Sequence, residues 1–119
     1  MSGARVLVVD DEVGMRETVA EILTGVGYTV TTAANGEDAL AQLRAGTFSV
    51  VLMDVRMPGR DGISVLREIG GPPPPVLLMT AYAGEEQLQA AVEAGSFAVL
   101  HKPVPARRLL DLVAQAAAT

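Results

Sequence analysis

The sequence predicts an α/β fold of the doubly wound kind: an open, mostly parallel five-stranded sheet flanked by five helices. Three observations carry this prediction. Five short apolar runs alternate with five amphipathic stretches along 119 residues. The runs are continuous in the middle of the chain, which is the pattern of strands covered on both faces. Gly, Pro, Asn or Asp punctuates the junctions, where helices start and stop. Five β–α units in register then imply a sheet with helices on both sides.

The elements follow in order. The first strand is Arg-Val-Leu-Val-Val over Arg5–Val9. A helix over Val13–Gly25 places Val19, Ile22 and Leu23 on one face, and Gly25 and Gly27 stop it. Residues 28–32 are β-branched and alternating, as at a sheet edge. Asn35 can cap a helix bearing Ala39, Leu40 and Leu43, ended by Gly46. Residues 49–53 form the third apolar run. Asp61 can cap a helix with Ile63, Leu66 and Ile69, broken at Gly70 and Gly71. Residues 72–75 are consecutive prolines and read as a stiff connector, with docking of a proline-binding module as the minor alternative. Val76–Thr80 is the fourth strand, and residues 97–101 are the fifth. Between them, residues 85–94 place Leu88, Ala91 and Val92 together and end at Gly95. Pro105 suits the first turn of a last helix carrying Leu109, Leu110 and Val113. Residues 114–119 read as a fraying helix end or the start of a linker.

Composition narrows the function. Residues 1–119 are long enough for one domain with one real core. Nine basic against fourteen acidic side chains leave a formal charge of −5. That balance argues against nucleic-acid binding by this domain alone, which needs a basic patch. Cysteine is absent, so disulfides, thiolate catalysis and zinc–thiolate sites are excluded. No apolar run approaches the ~20 residues of a membrane helix. The expectation is a single cytoplasmic domain without membrane contact.

The chemistry lies in what terminates each apolar run. The first ends in Asp10 and Asp11, the third in Asp54, the fourth in Thr80, and the fifth in His101 and Lys102. Open α/β sheets bind ligands outside the carboxyl ends of their strands. Four strands therefore deliver polar groups to one edge. Three carboxylates brought together repel one another unless a cation is present. Oxygen ligands without Cys or His suit a hard divalent ion, Mg²⁺ or Mn²⁺. Lys102 adds a point charge for phosphate, and Thr80 a neutral donor. Metal, hydroxyl and ammonium around a carboxylate suit phosphoryl transfer, with Asp54 as nucleophile.

Each residue also has an ordinary reading. Asp10 and Asp11 can cap the first helix, and Asp54 can belong to the turn before Met57-Pro58-Gly59. Thr80 and His101 can be plain strand residues, with the His101 ring satisfied, and Lys102 a solvated lysine. Met53, Met57 and Met79 suit core filling. Coincidence at one sheet edge outweighs these readings. Neither G-x-G-x-x-G nor G-x-x-x-x-G-K-[ST] follows the first strand, which counts against dinucleotide and P-loop folds.

With these residues in hand, the chain resembles a response regulator receiver domain of two-component signalling, a chemotaxis-regulator-like phosphoacceptor. The likeness runs from Arg5 to about Gln115. It is carried by Val8-Val9-Asp10-Asp11-Glu12, Met53-Asp54-Val55-Arg56-Met57-Pro58-Gly59-Arg60-Asp61-Gly62, Met79-Thr80-Ala81-Tyr82 and His101-Lys102-Pro103. The resemblance implies a flavodoxin-like sheet in the order 2-1-3-4-5. It implies that Asp54 accepts a phosphoryl group from a histidine kinase or phosphotransfer protein. Asp11 would bind Mg²⁺ directly, Asp10 mainly through water, and the Arg56 backbone carbonyl would be a further ligand. Thr80 and Lys102 would contact the phosphoryl oxygens, and the side chains of Arg56 and Tyr82 would tune dephosphorylation. A cis bond before Pro103 is implied as well. Family members are not enzymes in the ordinary sense, since they catalyse only their own phosphorylation and dephosphorylation. Their readout implies homodimerisation or partner docking through the face formed by the fourth helix, fifth strand and fifth helix.

One position departs from the family pattern. Three residues before the lysine an aromatic ring commonly couples to the threonine, and here that residue is Val99. Tyr82 or loop movement would then have to carry the signal. Two other readings stand beside the leading one: a small Mg²⁺-dependent phosphatase with an aspartyl-phosphate intermediate, and a degenerate receiver serving only as an interaction domain. The chain reads either as a whole regulator or as a receiver excised from a longer one.

Overall fold

Strands that are apolar on both sides need cover on both faces, and the fold supplies it. The computed structural model describes residues 3–69, 73–81 and 84–118. Its elements are β1 (Arg5–Val9), α1 (Val13–Gly25), β2 (Thr29–Ala33), α2 (Gly36–Ala45), β3 (Val50–Asp54), α3 (Gly62–Glu68), β4 (Val76–Thr80), α4 (Glu85–Glu93), β5 (Ala98–His101) and α5 (Ala106–Ala117). The strands pair in the order β2-β1-β3-β4-β5, and every pairing is parallel.

Side chains alternate across the sheet, and each set meets its own helices. Leu7, Val9, Val51, Met53, Val76 and Leu78 pack with residues of α2, α3 and α4. Val6, Val8, Val50, Leu52, Leu77 and Met79 pack on the other face with residues of α1 and α5. β3 and β4 are buried along their whole length, whereas β2 is mostly partly buried or exposed and lies at the edge, as its sequence pattern predicts. Helix starts follow the capping logic. Asn35 accepts a hydrogen bond from the Asp38 N–H at 2.8 Å, and Asp61 accepts one from the Ser64 N–H at 2.8 Å.

Some sequence-based boundaries and faces differ. β2 starts one residue later than expected, because the Tyr28 N–H bonds back to the Leu23 carbonyl at the end of α1. β3 runs one residue further, through Asp54, and Phe97 lies outside β5 and is exposed. Val92 is 70% exposed rather than facing the core with Ala91. Successive helical residues are about 100° apart, so a stripe centred on Ala91 leaves Val92 at the rim. Leu112 and Ala116 join Leu109 and Val113 in the core face of α5, and Leu110 packs against it partly buried. Ala116 is fully buried, so the end of this helix is docked and not frayed. Pro105 is the residue preceding α5 rather than part of its first turn. Gly70, Gly71 and Pro72 lie outside the described residues.

The central sheet sets stability. Leu52 is fully buried, so Leu52→Ala is expected to cost about 2–5 kcal/mol. Val92→Ala is expected to stay within about 0.5 kcal/mol. Urea unfolding of the two variants checks this, and equal losses would contradict the placement of α4.

Candidate functional site

The chain leaves β1 for a helix on one face of the sheet and leaves β3 for a helix on the other. A crevice therefore opens at the carboxyl ends of these two adjacent strands. Val9 pairs with Met53, so the next residues, Asp10 and Asp54, emerge level with one another. Among the described residues, the buried polar or charged side chains are Asp10, Asp54 and Thr80, and all three sit at this edge. Burying such groups is costly unless they are paired. None of the described buried side-chain polar atoms lacks a hydrogen-bond partner.

Lys102 supplies much of the pairing. Its Nζ donates to Asp54 Oδ2 at 3.0 Å and to Asp10 Oδ2 at 3.2 Å. Lys102 follows β5, two strands from β3, so its long side chain spans the end of β4, where Thr80 lies. The Lys102 N–H bonds to the Thr80 carbonyl at 2.8 Å, which sets the start of that reach. The peptide bond between Lys102 and Pro103 is cis. Asp10 Oδ1 accepts from the Glu12 N–H at 2.9 Å, and Asp54 Oδ1 accepts from the Arg56 N–H at 3.2 Å.

These contacts oppose one another electrostatically. Burial raises the Asp54 carboxyl above the ordinary aspartate value; Lys102 counteracts this and the nearby Asp10 adds to it. For Lys102, burial favours loss of the proton, but hydrogen bonds and attraction from Asp54 and Asp10 outweigh it and raise its pKa.

Asp11 is exposed and completes a group in which Asp10, Asp11 and Asp54 each offer an oxygen within 4.8 Å of the others. All donors are hard carboxylate oxygens, the type that Mg²⁺ and its like prefer. The donor set fits one hard divalent cation.

The segment after Asp54 holds this geometry. Val55 and Met57 are buried, and the Gly62 N–H closes the loop on the Val55 carbonyl at 2.8 Å. A Cβ at Gly62 would lie 2.5 Å from the Asp54 carbonyl oxygen, so the loop returns closer than any other residue allows. Gly59 takes φ +83° at the turn. The Arg56 side chain is exposed while its N–H faces the Asp54 carboxylate.

Other predicted positions are placed as follows. Val99 on β5 is half-buried against the core of the α2–α3–α4 face. His101 ends β5 with an exposed side chain. Met53, Met57 and Met79 are core residues. Tyr82 lies outside the described residues. Two contributors escaped sequence reasoning. Arg16 Nη1 donates to the Asp10 carbonyl at 2.7 Å and ties the β1–α1 turn to α1. A basic residue one turn into a helix that follows acidic residues is the signal available for it. Gly62 is the other, and only the backbone's return path reveals why it must be glycine.

The family model described as the response regulator receiver domain matches residues 6–114. Among curated proteins, the chain is 43% identical over 115 residues to the transcriptional regulatory protein ZraR of Salmonella typhimurium, covering 95% of this chain and 26% of that protein. The chain thus spans about a quarter of the length of this relative. Among solved structures, a CheY-like receiver domain protein from Methanospirillum hungatei superposes with a TM-score of 0.94 at 29% identity, covering 98% of this chain and 95% of that one. The chemotaxis response regulator CheY4 of Vibrio cholerae superposes with a TM-score of 0.89 at 31% identity, covering 97% and 99%. No helix among the described residues is long and apolar enough to cross a membrane.

The raised Asp54 pKa makes a signed prediction. The folded state holds the Asp54 proton more tightly than the unfolded state, so stability falls as pH rises from the ordinary aspartate value through the raised one. Lys102 stays charged in both states across that range and adds no slope there. Asp54→Asn removes the titration. Without divalent metal, its stability relative to wild type should therefore increase between pH 4 and pH 7 (the bounds are round figures of about the carboxylate and neutral ranges). Urea unfolding at the two pH values reads the difference, and a constant offset would contradict it.

Proposed function

The chain belongs to the response regulator receiver domain family, and from that premise we propose that Asp54 is the phosphoacceptor of a two-component signalling module. The supporting observation is the concentration of buried polar side chains, Asp10, Asp54 and Thr80, at the switch point of an otherwise apolar sheet. An enclosed carboxylate flanked by a lysine suits nucleophilic attack.

In this reading an Asp54 carboxylate oxygen attacks the phosphorus of a phosphohistidine on a histidine kinase or phosphotransfer protein. The new O–P bond forms as the donor's P–N bond breaks, and the electron pair leaves with the donor nitrogen. Asp11, Asp54 and the Arg56 carbonyl would hold Mg²⁺, or Mn²⁺ in its place, directly, and Asp10 mainly through water. When bound, that ion neutralises charge on the phosphoryl oxygens. The Lys102 ammonium, which lies 3.0 Å from Asp54 Oδ2, transfers its hydrogen bond to a phosphoryl oxygen. Thr80 donates its hydroxyl to another. The Arg56 and Tyr82 side chains tune the access of water for dephosphorylation.

The adduct adds roughly −1.5 to −2 charge beside Thr80 and Lys102. Recruiting Thr80 pulls on the β4–α4 connection and biases the α4–β5–α5 surface toward dimerisation or partner docking. Val99 offers no large side-chain swing, so loop movement or Tyr82 carries the coupling. The 43% identity to the transcriptional regulatory protein ZraR supports a transcriptional output for the regulator, and membership of the family supports a cytoplasmic setting.

Incubation with a small acyl phosphate and Mg²⁺, read by intact mass, tests the proposal. Wild type should gain one phosphoryl group, Asp54→Ala none, and Lys102→Ala should react about a hundredfold more slowly, the scale of losing one electrostatic donor. Chelation should abolish the adduct. An adduct that survives Asp54→Ala overturns the assignment, and steady turnover of a phosphate ester would place the chain with aspartyl-phosphate phosphatases instead.

A further inference from the structure

The loop between β3 and α3 carries Arg56, whose peptide faces Asp54, and it is anchored unevenly. Its first half is fixed by the buried side chains of Val55 and Met57. Its last residue before the helix, Asp61, caps α3. The middle, Pro58 and Gly59, is exposed and turns through the positive φ of Gly59. The lateral tie of this middle section is Arg60. Its Nε donates to Glu37 Oε1 at 2.5 Å, and its Nη1 pairs with Glu68. Glu37 lies in the first turn of α2 and Glu68 at the end of α3. One guanidinium therefore joins the loop to two helices.

The backbone contact beneath the pair is close. A Cβ on Gly36 would lie 3.1 Å from both the Arg60 Cβ and the Arg60 carbonyl oxygen. The loop thus rests directly on the first residue of α2. A recess runs beside the tie, and Asp11, Gly59, Arg60 and Glu68 line it together. The tie and the exposed carboxylate of the metal-ligand group share one concavity.

We propose that Arg60 is a positioning residue for the metal site, clamping the β3–α3 loop to α2 and α3 so that the wall this loop forms beside Asp11 keeps its shape for one divalent cation. The inference rests on the reading of Asp10, Asp11 and Asp54 as metal ligands. A single exposed ion pair contributes little. Here one guanidinium serves two carboxylates, and its planar fork suits two partners at once. Lysine has the charge without the fork.

Charge alone and positioning predict opposite signs. If Arg60 acted only through its charge, Arg60→Gln would remove a cation near a dication and tighten metal binding. As a clamp, its loss loosens the loop and weakens binding. The test titrates the purified chain with Mn²⁺ alone and reads free Mn²⁺ by electron paramagnetic resonance. Amide hydrogen exchange over residues 56–60 is followed in parallel. The clamp predicts that Arg60→Gln weakens Mn²⁺ binding about tenfold, the low end of the losses seen when outer-shell partners of ligands are removed. Exchange over the loop should accelerate, and Arg60→Lys should fail to restore either quantity. Unchanged or tighter binding in Arg60→Gln, or full recovery in Arg60→Lys, overturns the clamp. If wild type fails to bind Mn²⁺, or Asp11→Asn binds it equally well, the metal-site reading itself falls.

Discussion

Asp10 and Asp54, two buried carboxylates on neighbouring strands, share the ammonium of Lys102. Like charges at this range need a counter-charge, and solvent supplies little of it at this depth. Much of the local architecture follows from bringing the three groups together. β1 and β3 must be adjacent and in register for the carboxylates to emerge level. β5 must end where a lysine side chain can cross the end of β4. The residues behind Asp10, Asp54 and Thr80 are Val9, Met53 and Met79, all fully buried, so the polar groups face a closed apolar wall on the inner side.

That wall gives the edge its chemical character. The two-sided core leaves the sheet rigid and apolar almost to its last residue, and polar function is confined to the strand ends and the loops they feed. Proximity of Asp54 to Asp10 works against ionisation, whereas Lys102 works for it. A site balanced in this way responds strongly to added charge, whether from a divalent cation or a phosphoryl group.

Around this core, order grades outward. Val55 and Met57 anchor the segment next to Asp54, while Pro58 and Gly59 stand in solvent and depend on side-chain ties. α4 buries Ala91 but leaves Val92 exposed, so it is held by a narrow stripe. An element with few buried apolar contacts moves at low cost. α4 next to the Thr80 end of β4 is therefore suited to displacement.

Most of the fold was legible because burial on both faces leaves a trace in sequence. The runs Arg5–Val9 and Val76–Thr80, the caps Asn35 and Asp61, and the edge character of residues 28–32 all follow from local preferences and periodicity. The site was legible for a similar reason: Asp10, Asp54, Thr80 and Lys102 each end an apolar run, and a parallel sheet gathers strand ends at one edge. Local pattern does not carry the direction of a stripe to within one residue, so Val92 stands exposed beside the buried Ala91. Nor does it carry contacts between segments distant along the chain. That Lys102 bridges two carboxylates, that Gly62 must pass against the Asp54 carbonyl, and that Arg60 joins Glu37 to Glu68 are properties of chain crossings. They arise when packing brings separate loops within a few ångströms, and no spacing along the chain encodes them.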